Sequence, residues 1–168
     1  MSVKRYQLKP DTILDGRYRI GRVLGEGGFG ITYEGVNQRI GMRVAIKEFF
    51  CRDYMDRDNE ASEAVFLSEP GMQERFLSEK HKFLKEARIL SDFSSEDEVV
   101  HINDYFELNG TAYIVMAYLD GKTLRQYVGE NGPFDHETLF RKFKPLLATL
   151  EKIHETGLIH REIGRAHV

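Results

Sequence analysis

An α+β fold is predicted: an antiparallel sheet carrying one helix, followed by a smaller helical part. Three observations lead to it. Up to residue 49 the chain is made of short β-branched and aromatic runs bounded by glycine turns. One amphipathic helical stretch follows an acidic segment of small residues. After two more strand-like runs joined by Asn109-Gly110, the apolar period lengthens from two to that of a helix.

The elements follow in order. Residues 1–16 are polar, carry a Pro10-Asp11 turn signal and read as an extended lead-in. Tyr18 to Leu24, Ile31 to Val36 and Arg43 to Phe49 read as three strands, with Val44-Ala45-Ile46 suited to a buried central position. Cys51 to Gly71 contains Asp53, Asp56, Asp58, Glu60, Glu63 and Glu69 and ends in Pro70-Gly71; an inserted loop, disordered in part, is expected. Phe76, Phe83, Ala87 and Leu90 then recur on one helical face, with Leu77 and Leu84 beside them. Val99 to Phe106 and Thr111 to Met116 complete five strands, and Asn109-Gly110 favours a tight hairpin because both residues tolerate positive φ. Lys122 to Val128 reads as a short helix. Asp135 can cap a longer one with a stripe through Leu139, Phe143, Leu146, Leu147, Leu150, Ile153 and His154, ended by Gly157. Pro145 lies inside it, and an interior proline costs about 3 kcal/mol, so a kink is expected.

Composition excludes several classes. The 168 residues suffice for one domain with a real core. A net charge of −3 offers no basic surface for nucleic acid, and no apolar run reaches the length of a membrane span. Met1-Ser2-Val3-Lys4-Arg5 lacks the apolar stretch of a secretory signal, so a cytoplasmic protein is expected. Cys51 is the only cysteine, which rules out an internal disulfide and a cysteine metal cluster. His154 and His160, close in sequence, have no carboxylate or cysteine partners nearby and read as ordinary histidines.

The chemistry is concentrated in Leu24-Gly25-Glu26-Gly27-Gly28-Phe29-Gly30, whose glycines let a backbone lie against a phosphate. A glycine run alone is a weak signal. A dinucleotide-binding fold would open a helix after Gly30, whereas Ile31-Thr32-Tyr33-Glu34-Gly35-Val36 reads as a strand. A Walker loop would need Lys and Ser/Thr directly after the last glycine, and Ile31-Thr32 supplies no lysine. Downstream, Val44-Ala45-Ile46-Lys47 is a short apolar strand ending in lysine. Strand, glycine loop, strand, turn and Val-Ala-Ile-Lys together resemble the start of a protein kinase, and Gly-Gly-Phe-Gly-Ile-Thr-Tyr resembles the prokaryotic serine/threonine type.

That resemblance implies roles. Gly25, Gly27, Gly28, Phe29 and Gly30 would form a lid over the phosphates of ATP, and Lys47 would draw the α and β phosphates into place. Glu86, in its Glu-Ala-x-x-Leu context, would hold Lys47; its separation from Lys47 is long for the family, and the 51–71 insert accounts for the excess. Glu79 and Glu74 are fallback candidates. Adenine would lie against Leu24, Ala45 and Thr32, with Met116 as gatekeeper, the Ala117 carbonyl accepting from the adenine amino group and the Leu119 amide donating to the ring. Gly157-Leu158-Ile159-His160-Arg161-Glu162 resembles the approach to the catalytic loop, with Glu162 where the family has its catalytic aspartate. The Mg2+ expected for a full-length family member would have its ligands beyond this chain.

The implied organisation is a lead-in (1–16), a small lobe (17–116) with the insert 51–71, a hinge (117–121), the start of a large lobe (122–161) and a tail (162–168) expected to be foreign to the domain. The function implied is that of a fragment of an ATP-dependent serine/threonine kinase, without turnover on its own and marginally stable, its protein substrate unidentified. The alternatives are a pseudokinase-like nucleotide-binding or scaffolding module, suggested by Glu162, and, remotely, a dinucleotide-binding oxidoreductase.

Overall fold

The computed structural model describes residues 3–158. In chain order the elements are β1 (Ile13–Leu14), β2 (Tyr18–Gly27), β3 (Gly30–Asn37), β4 (Met42–Phe49), β5 (Met55–Asp56), β6 (Phe66–Leu67), α1 (Gln73–Asp92), β7 (Ile102–Leu108), β8 (Thr111–Ala117), α2 (Leu124–Asn131) and α3 (His136–Glu155). One antiparallel sheet runs β1-β2-β3-β4-β8-β7, and β5 and β6 form a separate small hairpin. The α+β class and the five predicted strands hold; a sixth, two-residue strand comes from the lead-in.

Register sorts the side chains of the central strand β4 onto two faces, because successive residues alternate. Val44, Ile46 and Glu48 lie opposite Gly35, Tyr33 and Ile31 of β3, and Ile46 and Glu48 lie opposite Val115 and Tyr113 of β8. This is the core face, on which Tyr33, Val44, Ile46, Tyr113 and Val115 are fully buried. Ala45 and Lys47 point to the other, cleft face. Gly35 leaves room for Ile46, whose Cδ1 would lie 2.6 Å from a Cβ there and would have to shift. The sheet curls enough to bring β2 against the edge strand β7: Tyr18 of β2 stacks on Phe106 of β7 with centroids 5.9 Å apart, and its hydroxyl donates to Asp104 at 2.9 Å.

Two segments differ from their sequence reading. The lead-in is not merely an extended approach; Gln7, Leu8 and Leu14 are buried. The insert, expected to be disordered in part, is folded, with Tyr54, Met55 and Arg57 buried. The reason lies in Glu48, which takes a core-face position otherwise held by apolar side chains. Its carboxylate pairs with the Arg57 guanidinium, both side chains fully buried, and accepts from the Tyr33 and Tyr113 hydroxyls at 3.0 and 2.9 Å. Arg57 also donates to the carbonyls of Tyr6 (2.9 Å) and Glu63 (2.7 Å) and lies over the Phe50 ring. Burial, and after it the charge of Glu48, push the Tyr33 and Tyr113 hydroxyls far above the ordinary tyrosine value, so both remain donors. Among the described residues no buried side-chain polar atom lacks a partner.

Helix α1 buries Phe76, Phe83 and Ala87, and Phe49 of β4 meets the two phenylalanine rings at 6.0 and 5.6 Å. Asn109 (φ 53°) and Gly110 (φ 73°) make the predicted tight turn. Helix α2 begins later than its reading because Thr123 and Gln126 form a capping box. Asp135 caps α3 through the Thr138 N–H at 2.8 Å, and the helix runs through Pro145 unbroken. Leu139, Phe140 and Leu147 of α3 remain exposed.

Removing one partner of a buried ion pair leaves an uncompensated charge in the core. Arg57→Met is expected to lower the stability of this domain by about 3–5 kcal/mol, with only part of the loss restored in the double variant Glu48→Leu/Arg57→Met, which removes the uncompensated charge but leaves the Tyr33 and Tyr113 hydroxyls and the Tyr6 and Glu63 carbonyls without these partners. Urea unfolding followed by circular dichroism checks both.

Candidate functional site

The cross-strand register assembles the predicted site on the cleft face. Gly25 of β2 lies opposite Thr32 of β3, Thr32 opposite Lys47 of β4, and Lys47 opposite Ile114 of β8. One step along, Ala45 lies opposite Met116. Gly25, Thr32, Lys47, Ala45 and Met116 therefore belong to two adjacent rows of one surface, and Gly27 and Gly30 pair in the next row, opposite Phe49. Phe29, at the turn between β2 and β3, and Leu24 are exposed.

The glycines of the lid divide by what a side chain would meet. At Gly30 a Cβ would sit 2.6 Å from the Glu48 carbonyl oxygen, so the strand pair itself demands glycine. At Gly25, Gly27 and Gly28 a Cβ would meet nothing within 4 Å. The fold gives no reason for those three, while a phosphate laid along the backbone does. They form an open cradle beside the row that holds Lys47.

Lys47 is half-buried, and its ammonium lies over the Phe83 ring at 5.6 Å. Glu86 is half-buried one turn further along α1. Among the described residues no carboxylate comes within 4.0 Å of the lysine, so the expected pair of Lys47 and Glu86 is not formed in this conformation. Of the fallback candidates, Glu79 is engaged elsewhere, accepting from the Tyr54 hydroxyl and from Arg75 Nε at 2.9 Å, and Glu74 lies exposed in the first turn.

At the hinge, the Ala117 N–H donates to the His101 carbonyl at 2.9 Å, and Leu119 is 73% exposed. The Leu119 N–H bonds to no other backbone group among the described residues. Arg43 fastens the segment: its guanidinium covers the Tyr118 ring at 3.9 Å and lies 3.2 Å from Glu34 and 3.5 Å from Asp120. Sequence reasoning missed Arg43, as it missed Tyr54, Arg57 and the contacts of Glu26; no local pattern marks any of them, because each partner is distant in the chain. Glu162 lies outside the described residues. A cavity of about 260 Å³ opens elsewhere, between the insert and the start of α1, lined by Met55, Val65, Leu67, Gln73, Phe76 and others and remote from the cleft rows.

The family model described as the protein kinase domain matches residues 18–166. The chain belongs to the protein kinase family. Among curated proteins this kinase chain is 34% identical to serine/threonine-protein kinase pkn2 of Myxococcus xanthus, with 96% of the chain and 17% of the relative covered. It is 29% identical to probable serine/threonine-protein kinase pknA2 of Bifidobacterium longum (92% and 18%) and to serine/threonine-protein kinase PknA of Mycobacterium tuberculosis (92% and 32%). Against the solved structure titled "PpkA-294 apo form" the TM-score is 0.80 at 27% identity, covering 93% of this chain and 54% of that one. The chain thus spans about a third or less of these curated relatives and about half of that structure.

The division of the glycines makes a test. Gly30→Ala is expected to destabilise the domain by about 1–3 kcal/mol through overpacking. Gly27→Ala should leave the melting temperature unchanged while weakening ATP binding, as measured by thermal denaturation alongside titration with a fluorescent ATP analogue.

Proposed function

We propose that this chain is the nucleotide-binding part of a serine/threonine kinase that transfers a phosphoryl group from ATP to a protein hydroxyl. The observation that carries the reading is the cradle: Gly25, Gly27 and Gly28 are free of any steric reason to be glycine, and Gly25 lies in the cross-strand row of Lys47. In this reading the lid backbone lies along the phosphates, and Lys47 neutralises and aligns them. Adenine enters against Leu24, Ala45 and Thr32 and meets the Ala117 carbonyl and the Leu119 amide at the hinge. Phosphoryl transfer asks the protein mainly for positioning and charge stabilisation, which is what these groups supply.

Glu86 acts on Lys47 rather than on ATP. The present contact of Lys47 with Phe83 supports a conformation in which α1 has yet to bring Glu86 up, since Phe83 and Glu86 are separated by about 4.5 Å along a helix axis. Among the described residues no three of His, Cys, Asp or Glu come together as a metal site. The magnesium used in phosphoryl transfer would be held by residues outside them, together with the phosphates. The domain bounds read from sequence, with the hinge at 117–121, fit this division of labour.

A second reading has one observation in its favour: Glu162 stands where the family has its catalytic aspartate. A longer carboxylate there suits a nucleotide-binding or scaffolding module that lacks turnover.

Lys47→Met in the full-length protein is expected to lower kcat/KM by about 10²–10³-fold or more, with Glu86→Gln falling in the same direction. Transfer of labelled phosphate from ATP to a protein acceptor measures it. ATP binding by the unaltered protein without any transfer would favour the scaffolding module, and absence of both would overturn the nucleotide reading.

A further inference from the structure

The lid is gripped from the face opposite the cleft by residues that the proposed reaction does not use. Glu26 lies between Gly25 and Gly27, and its register with Ile31, itself opposite Glu48, puts its side chain on the core face. There its carboxylate meets the lead-in. Lys4 Nζ donates at 2.8 Å, the Tyr6 hydroxyl at 3.1 Å, and the Gln7 side-chain amide also donates to it. Arg52 approaches to 4.0 Å. The Glu26 side chain is only 16% exposed, and Gln7 is buried. Charge-assisted and multiple, these contacts belong to the stronger class of hydrogen bond.

The gripping segment is itself stapled by the insert. The Asn59 side chain donates to the Gln7 carbonyl at 2.8 Å and the Lys4 carbonyl at 3.1 Å, and the Asn59 N–H donates to the Arg5 carbonyl at 3.1 Å. Arg57 donates to the Tyr6 carbonyl while seated on Glu48, the residue next to Lys47. A continuous run of polar contacts therefore leads from the neighbour of Lys47, through the insert and the lead-in, to the middle of the lid.

We infer that residues 4–7 are a strap that sets the position of the glycine lid through Glu26, making Lys4, Gln7 and Glu26 positioning residues for nucleotide binding. Gly25, Gly27 and Gly28 confer wide backbone freedom that must be surrendered when a ligand is bound. An anchor outside the cleft removes part of that freedom beforehand, which is preorganisation. The strap rests on its own geometry; its consequence for ATP rests on the nucleotide reading above.

Hydrogen exchange and ATP titration on the full-length protein test it. Two variants loosen the strap by different routes: Lys4→Ala/Gln7→Leu removes two donors to Glu26, and Asn59→Ala removes the two side-chain bonds of the staple without touching Glu26. Both are expected to speed amide exchange over residues 25–30 about tenfold, with exchange in β7 and β8 unchanged. Both should weaken binding of a fluorescent ATP analogue by about 3- to 10-fold, the range set by one lost hydrogen bond, and leave KM for the protein substrate unchanged. Lys4→Arg should behave as the unaltered protein. Lid exchange that does not change, or that rises equally across the whole sheet, overturns the strap. Faster lid exchange with unchanged ATP affinity overturns its positioning role. Failure of the unaltered protein to bind ATP brings down the nucleotide reading and that role together, while the exchange data still decide whether the strap exists.

Discussion

The small lobe depends on one buried ion pair. Taking a carboxylate and a guanidinium out of water costs several kcal/mol each by the general rule, and their attraction offsets this only when the remaining donors and acceptors are filled. Here they are filled: Glu48 has two tyrosine hydroxyls besides Arg57, and Arg57 has two backbone carbonyls besides Glu48. Those carbonyls belong to Tyr6 and Glu63, so a single side chain fixes the lead-in and the insert to the central strand. What composition presents as two polar accessories is thereby made part of the core.

Strand alternation converts that anchor into a positional constraint on chemistry. Glu48 faces the core and Lys47, one residue earlier, faces the cleft. The backbone that carries the lysine is therefore held by a fully satisfied buried pair, while the ammonium keeps a soft contact with Phe83. The Phe83 ring is buried, and a desolvated cation–ring contact is worth about 2 kcal/mol, within reach of a buried charge-assisted pair with a carboxylate. Helix α1 is fastened differently at its two halves. Its beginning is tied to the insert by Tyr54, Arg75 and Glu79, and Phe76 and Phe83 pack on Phe49. Glu86 lies between Phe83 and the fully buried Ala87, so bringing it to Lys47 means shifting that packed part of the helix with it.

What the sequence made legible was whatever is local or periodic. The buried run Val44-Ala45-Ile46 was readable, as were the α1 stripe, the Asn109-Gly110 turn and the Asp135 cap, because each depends on residues within a few positions of one another. The glycine lid and Lys47 were readable for the same reason. The insert was misjudged because its acidic composition describes the average residue, whereas its order is decided by Arg57 meeting a carboxylate on another strand. Leu8 and Leu14 have no periodic neighbours to announce that they are buried. The pairing of Lys47 with Glu86, inferred from family resemblance, concerns a helix position that one chain can vary, and no pattern along the chain specifies which position is occupied.

Glycines show where sequence reading must stop and geometry begin. Gly25, Gly27, Gly28, Gly30 and Gly35 are the same letter within a dozen positions, yet they answer to different demands. Gly35 admits Ile46 into the core, and Gly30 lets β3 approach the Glu48 carbonyl. Both answer to packing within the fold. The other three face open space, and an alanine there would cost the fold no steric clash while stiffening the chain. Stability gives no account of them, so the reason for their smallness must come from outside the fold, from something that approaches the backbone more closely than a methyl group allows. A phosphate chain, as proposed above, would do so, and Lys47 is the cationic side chain in the cross-strand row of Gly25.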